Sequence, residues 1–265
     1  MNRNSRSYSL RNRLMYYASV TVLLSALAGL SWAGNDPWKT KPYQQWDDKD
    51  IARILTDSPW AHRVAIEAAW KPMEAEEPDA GGAPPTANTG GSGKMSPASP
   101  PQSAPDTGDE AGGETRPEAQ FLVFWMSSKT MRAALARRAV LHNGKTEADA
   151  EQYVNVPQEE YQVLVEGKDM TPFRQNDEKY FQSHAFLQLK KLGQKVSPSQ
   201  VTLERGPDGK TVTAALFYFP KKAASGEPLI GPQEKSAEFS CMLGNTTLKA
   251  AFNPQKMMNQ NGEDL

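Results

Sequence analysis

The chain has 265 residues, 38% hydrophobic and 23% charged, which suffices for one ordinary domain with extensions or for two small ones. The formal charge of -1 hides an asymmetry: residues 1–33 carry Arg3, Arg6, Arg11 and Arg13 and no acid, leaving 26 basic against 31 acidic residues in the remainder. That balance argues against a nucleic-acid partner, which needs cations to displace phosphate counterions, and the single cysteine, Cys241, excludes intramolecular disulfides and zinc sites built from several thiolates.

The four arginines precede an uncharged run from Leu14 to Ala33 that closes on Ser31-Trp32-Ala33. Small residues at Ser31 and Ala33 suit signal peptidase, so residues 1–33 read as a secretory signal cleaved before Gly34. The rival is an uncleaved anchor, since an apolar helix of about 20 residues spans a bilayer. Tyr16, Tyr17, Ser19, Thr21 and Ser25 dilute the run and favour cleavage. A secreted or periplasmic location follows, with a membrane partner only if the signal stays.

Residues 34–70 are rich in tryptophan and tyrosine: Trp38, Tyr43, Trp46, Trp60 and Trp70. Asp47 can cap a short helix with Asp50 at its third position, and Trp46 can staple onto Ile51. Ile51, Ile54 and Leu55 make its apolar stripe, and Pro59 biases Ser58 toward extended geometry. From Trp60 to Trp70, His62, Val64, Ile66 and Ala68 alternate with Ala61, Arg63, Ala65 and Glu67, which predicts a half-buried strand. Residues 71–118 hold 9 Pro, 8 Gly and nine acids against three bases, with only Met73 and Met95 large and apolar. Such a segment cannot bury enough surface to offset its ordering entropy, and it reads as a disordered linker.

The main domain, residues 119–265, opens on Phe121-Leu122-Val123-Phe124-Trp125-Met126, apolar on both alternating faces and so a strand covered on both sides. Helical spacing follows from Lys129, with Met131, Ala134, Leu135 and Ala139 inward and Ser127 or Ser128 as cap. Glu147 to Val156 is ambiguous. Tyr161, Val163 and Val165 predict a strand ending at Gly167, and Pro172 to Leu192 reads as one long helix. Two hairpins close the chain, around Gly206-Pro207-Asp208-Gly209 and Gly244-Asn245. The expected fold class is α+β, a largely antiparallel sheet with two main helices on one face, plus a short N-terminal helix and strand.

Lys41-Pro42-Tyr43-Gln44-Gln45-Trp46, Ile54-Leu55-Thr56-Asp57-Ser58-Pro59-Trp60 and the stretch from Phe239 to Leu265 resemble segments of a family of uncharacterised secreted bacterial proteins. Those proteins also carry a Gly/Pro-rich insert after a Trp-rich segment. The resemblance covers most of the mature chain and implies its architecture, but no activity, substrate or site residue.

Few residues point to chemistry. Ser127 and Ser128 stand at a strand-to-helix turn, where hydrolases place a nucleophile, but the flanking glycines of a nucleophile elbow are replaced by Trp125 and Lys129. The helix N-terminus could instead hold an anion, assisted by Lys129 and Arg132, so Ser127, Ser128, Lys129 and Arg132 are the candidate binding residues. His62, His142 and His184 lack the close spacing of a metal set, and Cys241 reads as a buried inert thiol. The clustered aromatic residues could stack on sugars or peptides, although core packing and strand pairing account for them better. No cofactor and no catalytic residue is expected. The reading is a secreted or periplasmic binding or envelope-associated module of unknown ligand, for which a protein or peptide could serve as partner; the alternative is a secreted hydrolase whose site is assembled from distant residues.

Overall fold

In a computed structural model, which describes residues 36–68, 118–191 and 193–265, the central apolar run becomes the second strand of a five-stranded antiparallel sheet. The predicted signal, all of residues 71–117 and the end of the predicted first strand at Trp70 lie outside the described residues. The order of elements is α1 (Pro37–Thr40), a 3-10 turn (Tyr43–Gln45), α2 (Asp48–Thr56), β1 (Ala61–Glu67), β2 (Glu118–Trp125), α3 (Lys129–His142), α4 (Glu147–Asn155) and β3 (Glu160–Gly167). Then come α5 (Thr171–Arg174), α6 (Glu178–His184), β4 (Ala185–Leu189), β5 (Gln194–Val196), β6 (Gln200–Arg205), β7 (Val212–Pro220), β8 (Ala237–Leu243) and β9 (Thr246–Phe252). A 3-10 turn (Pro254–Lys256) leads into the small hairpin of β10 (Met258–Asn259) and β11 (Gly262–Glu263).

The fold is α+β with antiparallel strands, but β1 to β9 divide between two sheets, ordered β1-β2-β3-β7-β6 and β5-β4-β8-β9, beside the β10-β11 hairpin. Side-chain alternation explains the division. Phe121, Val123 and Trp125 share a face with Val163, Val165, Ala215 and Phe217 through the registers of β2, β3 and β7. That face meets the inner face of the second sheet, where Phe217 lies 4.9 Å from Phe239 and Trp125 lies 5.1 Å from Phe252 between ring centroids. The opposite face of β2 and β3 carries Phe124 and Leu164, also buried, with Arg138 of α3 acting electrostatically on Glu166 of β3. β2 is thus covered on both faces, as its uninterrupted apolarity predicts. Burying a side chain such as Phe121 or Val123 stabilises the fold by roughly 1.5–3 kcal/mol.

Local signals placed the N-terminal elements well. Asp47 caps α2, accepting from the Lys49 and Asp50 backbone at 3.0 and 2.8 Å, with Asp50 closing the capping box. Trp46 and Ile51 are both buried, in keeping with the staple. The ambiguous segment after His142 is a helix with its own capping box between Thr146 and Asp149.

The long helix expected from Pro172 to Leu192 is a correction. The described part of that stretch is two short helices, with Asp177 capping the second, followed by strand β4. Ala185, Leu187 and Leu189 satisfy both a helical and an alternating pattern, and pairing with Cys241, Phe239 and Ala237 of β8 selects the strand. Gly167 ends β3 where the chain passes Phe121 so closely that a Cβ would stand 2.8 Å from its ring. That contact requires glycine.

Candidate functional site

Ser128 caps α3, its hydroxyl accepting from the Met131 N–H at 3.1 Å. The next amides, of Lys129 and Thr130, donate to the carboxylate of Asp264 at 2.6 and 2.8 Å. The anion that this helix N-terminus attracts is therefore a side chain of the same protein. Asp264 is buried, and its backbone carbonyl also accepts from the Trp60 indole at 2.7 Å. The charge of Asp264 complements the partial positive charge of the helix end, and two charge-assisted bonds hold it there.

Arg132 is buried too. Its guanidinium donates to the carbonyls of Val154 at 2.7 Å and Val156 at 2.8 Å, so it closes the C-terminal end of α4 onto α3. Ser127 is buried with its hydroxyl unpaired among the described residues, and with 2% of its surface exposed it offers no nucleophile to a substrate. Of the four residues suggested by sequence, Ser128 and Arg132 are engaged within the fold, Ser127 is enclosed, and Lys129 alone is exposed. The residue that sequence reasoning missed is Asp264, which lies 134 positions from Thr130. No local pattern announces such a contact.

The three histidines serve different neighbourhoods. His142 contacts Asp48 at 2.6 Å on the surface, and His184 stacks on Tyr180 at 4.0 Å. His62 packs against Phe252 at 4.7 Å, and its burial lowers the imidazole pKa, so the ring is neutral at pH 7. Among the described residues no group of three or more His, Cys, Asp or Glu could hold a metal ion. Cys241 is fully buried, which pushes its thiol pKa up and keeps it protonated.

β1 is the outer strand of the larger sheet. The Trp125 N–H donates to the Trp60 carbonyl at 2.8 Å, which sets the phase of the ladder. Because hydrogen-bonded pairs alternate, His62, Val64 and Ile66 bond to β2, while Ala61, Arg63 and Ala65 turn their backbone groups outward. The Ala61 N–H is taken by the Ser58 carbonyl at 3.1 Å. The outward groups of Arg63 and Ala65 have no backbone partner among the described residues, and both residues are exposed. β9 contacts β1, and near the start of β1 opens a cleft of about 710 Å³ whose walls include Trp38, Arg53 and Pro59 before the strand, His62 in it, and Asn253 and Lys256 after β9.

Compared with known protein families, characterised proteins and solved structures, the chain finds no match.

Proposed function

We propose that this protein is an exported binding module, secreted or periplasmic in a bacterial envelope, that takes an extended peptide along the outer edge of β1. The observation that carries the reading is the pair of outward backbone units at Arg63 and Ala65, exposed and without backbone partners among the described residues. Such an edge offers main-chain hydrogen bonds to any extended segment laid beside it. Arg63 and Glu67, on the exposed side of the strand, act as gatekeepers that limit indiscriminate pairing.

The arginine-led apolar run before Gly34 supports export. N-terminal sequencing of the exported protein should begin at Gly34 or within a few residues, whereas an intact N-terminus in the membrane fraction overturns cleavage. For the edge itself, Ala65→Pro removes an outward N–H at little cost to the fold. A capped peptide of alternating Thr and Val should bind the native protein and lose affinity by about tenfold or more in Ala65→Pro, as expected when strand pairing supplies the binding energy. Equal affinity for both proteins, with both folded by thermal melt, overturns the reading.

A further inference from the structure

We propose that the extended segment taken by this edge is the β1 strand of a second copy of the chain, paired antiparallel about a two-fold axis at Ala65. This names the partner of the strand-addition edge and rests on that reading. Its own support is that β1 is complementary to itself in this register, in charge on one face and in shape on the other.

The phase of the ladder limits the choices. Arg63 and Ala65 turn their backbone groups outward, while His62, Val64 and Ile66 bond inward to β2. Two copies of this edge exchange hydrogen bonds only where outward residues face outward residues, so the axis passes through a residue rather than between two. An axis at Arg63 sets two guanidinium groups against each other. An axis at Val64 sets Arg63 against Ala65 and Glu67 against Ala61, whose N–H is already given to the Ser58 carbonyl at 3.1 Å. An axis at Ile66 sets Glu67 against Ala65. Only an axis at Ala65 sets Arg63 against Glu67 of the second copy, and by symmetry it does so on both sides.

The groups involved suit this pairing. Arg63 is exposed and makes no side-chain hydrogen bond or ion pair among the described residues, so it gives up no partner. Glu67 and Glu118, its neighbour across the ladder, are both exposed acids, so the incoming guanidinium arrives beside two carboxylates. On the other face, Val64 and Ile66 are half-buried and pack against the core from the end of the sheet. With the axis at Ala65, Val64 meets Ile66 of the second copy in a non-hydrogen-bonded pair, where side chains stand closest. Charges on an edge strand discourage most neighbours. Here the same two charges reject other registers and admit this one.

The test is sedimentation velocity over a range of concentrations on the protein from Gly34 onward. Its variants are Ala65→Pro, Arg63→Glu, Glu67→Arg and the double reversal, each checked for folding by thermal melt. The native protein should show a monomer–dimer equilibrium, and Ala65→Pro should stay monomeric. Each single reversal puts like charges into both pairs and should weaken the dimer about tenfold or more. The double reversal should restore association, and the two single variants, mixed, should dimerise where neither does alone. A dimer indifferent to the reversals overturns the register and the proposal with it. A native protein that stays monomeric to about 1 mM overturns the second copy as partner. In that case, binding of the alternating Thr and Val peptide, lost in Ala65→Pro, leaves strand addition standing with another partner. Binding of no peptide by that monomer overturns both readings.

Discussion

The N-terminus of α3 and the outer edge of β1 treat polar groups in opposite ways. At α3 the chain supplies its own partners: Ser128 for one amide, Asp264 for two more, and Arg132 for the carbonyls that end α4. Along β1 the backbone groups of Arg63 and Ala65 face outward with no backbone partner among the described residues. The comparison teaches how to separate a structural polar cluster from a binding one. Residue types alone favoured α3, with two serines, a lysine and an arginine at a helix start. Satisfaction of hydrogen bonds favours β1, because a group already bonded inside the protein must lose that bond to bind anything else.

The sharpest way to break this comparison is at Arg132. Arg132→Met retains much of the side-chain volume but leaves the Val154 and Val156 carbonyls without their donor, and should cost roughly 3–4 kcal/mol of unfolding free energy. Urea denaturation measures it, and a loss below about 1 kcal/mol would mean that the polar groups around α3 are not closed off by Arg132. Next in size is Asp264→Ala, which exposes the Lys129 and Thr130 amides to an unfilled site and should cost roughly 2–3 kcal/mol. Sulfate or phosphate should then raise the melting temperature of the variant more than that of the native protein, since the vacated helix end becomes an anion site. An identical response to these anions in both proteins would show that the helix end was never poised for a negative charge.

Glu166 sharpens the comparison from a third position, buried on the sheet but outside either region. Burial raises its pKa to about 8, opposed by Arg138 and reinforced by Glu204, whose own pKa burial raises to about 7. A carboxyl group with a raised folded-state pKa keeps its proton when the unfolded chain releases it. Its contribution to stability is therefore fully present below about pH 4.5 and is lost as pH rises toward 8. Glu166→Gln should flatten the fall in melting temperature between pH 5 and pH 8.5 and should raise it at the alkaline end. Parallel pH profiles for the two proteins would remove Glu166 as the cause.

The smallest effect is expected from the insert between β1 and β2. Deleting roughly residues 78–114 removes no residue of the described core and should change stability by no more than about 0.5 kcal/mol. A large loss in the thermal melt of the deletion variant would show that the insert supports the β1 edge and that this edge is not open.

How much of this was legible in the residues depends on the range of the interaction. The cap at Asp47, the half-buried alternation of His62, Val64 and Ile66, the doubly apolar β2 and both C-terminal hairpins were readable, because each is set by residues a few positions apart. The stretch after Pro172 was misread where local spacing allowed two answers, and β8 chose between them from some fifty residues downstream.

The candidate site divides along the same line. By itself the sequence determined that β2 must be covered on both faces, that β1 buries one face, and that Ser127 and Ser128 stand at a helix start. Only the tertiary structure decided that the helix start is filled by Asp264, that β1 ends the sheet, and that Trp38, His62 and Asn253 line one cleft. The physical reason is the reach of each force. Hydrogen bonds within a turn and the period of a strand act over a few residues and leave a pattern in the chain. Whether a polar group finds its partner, and which strand edge stays unpaired, depends on residues that only folding brings together.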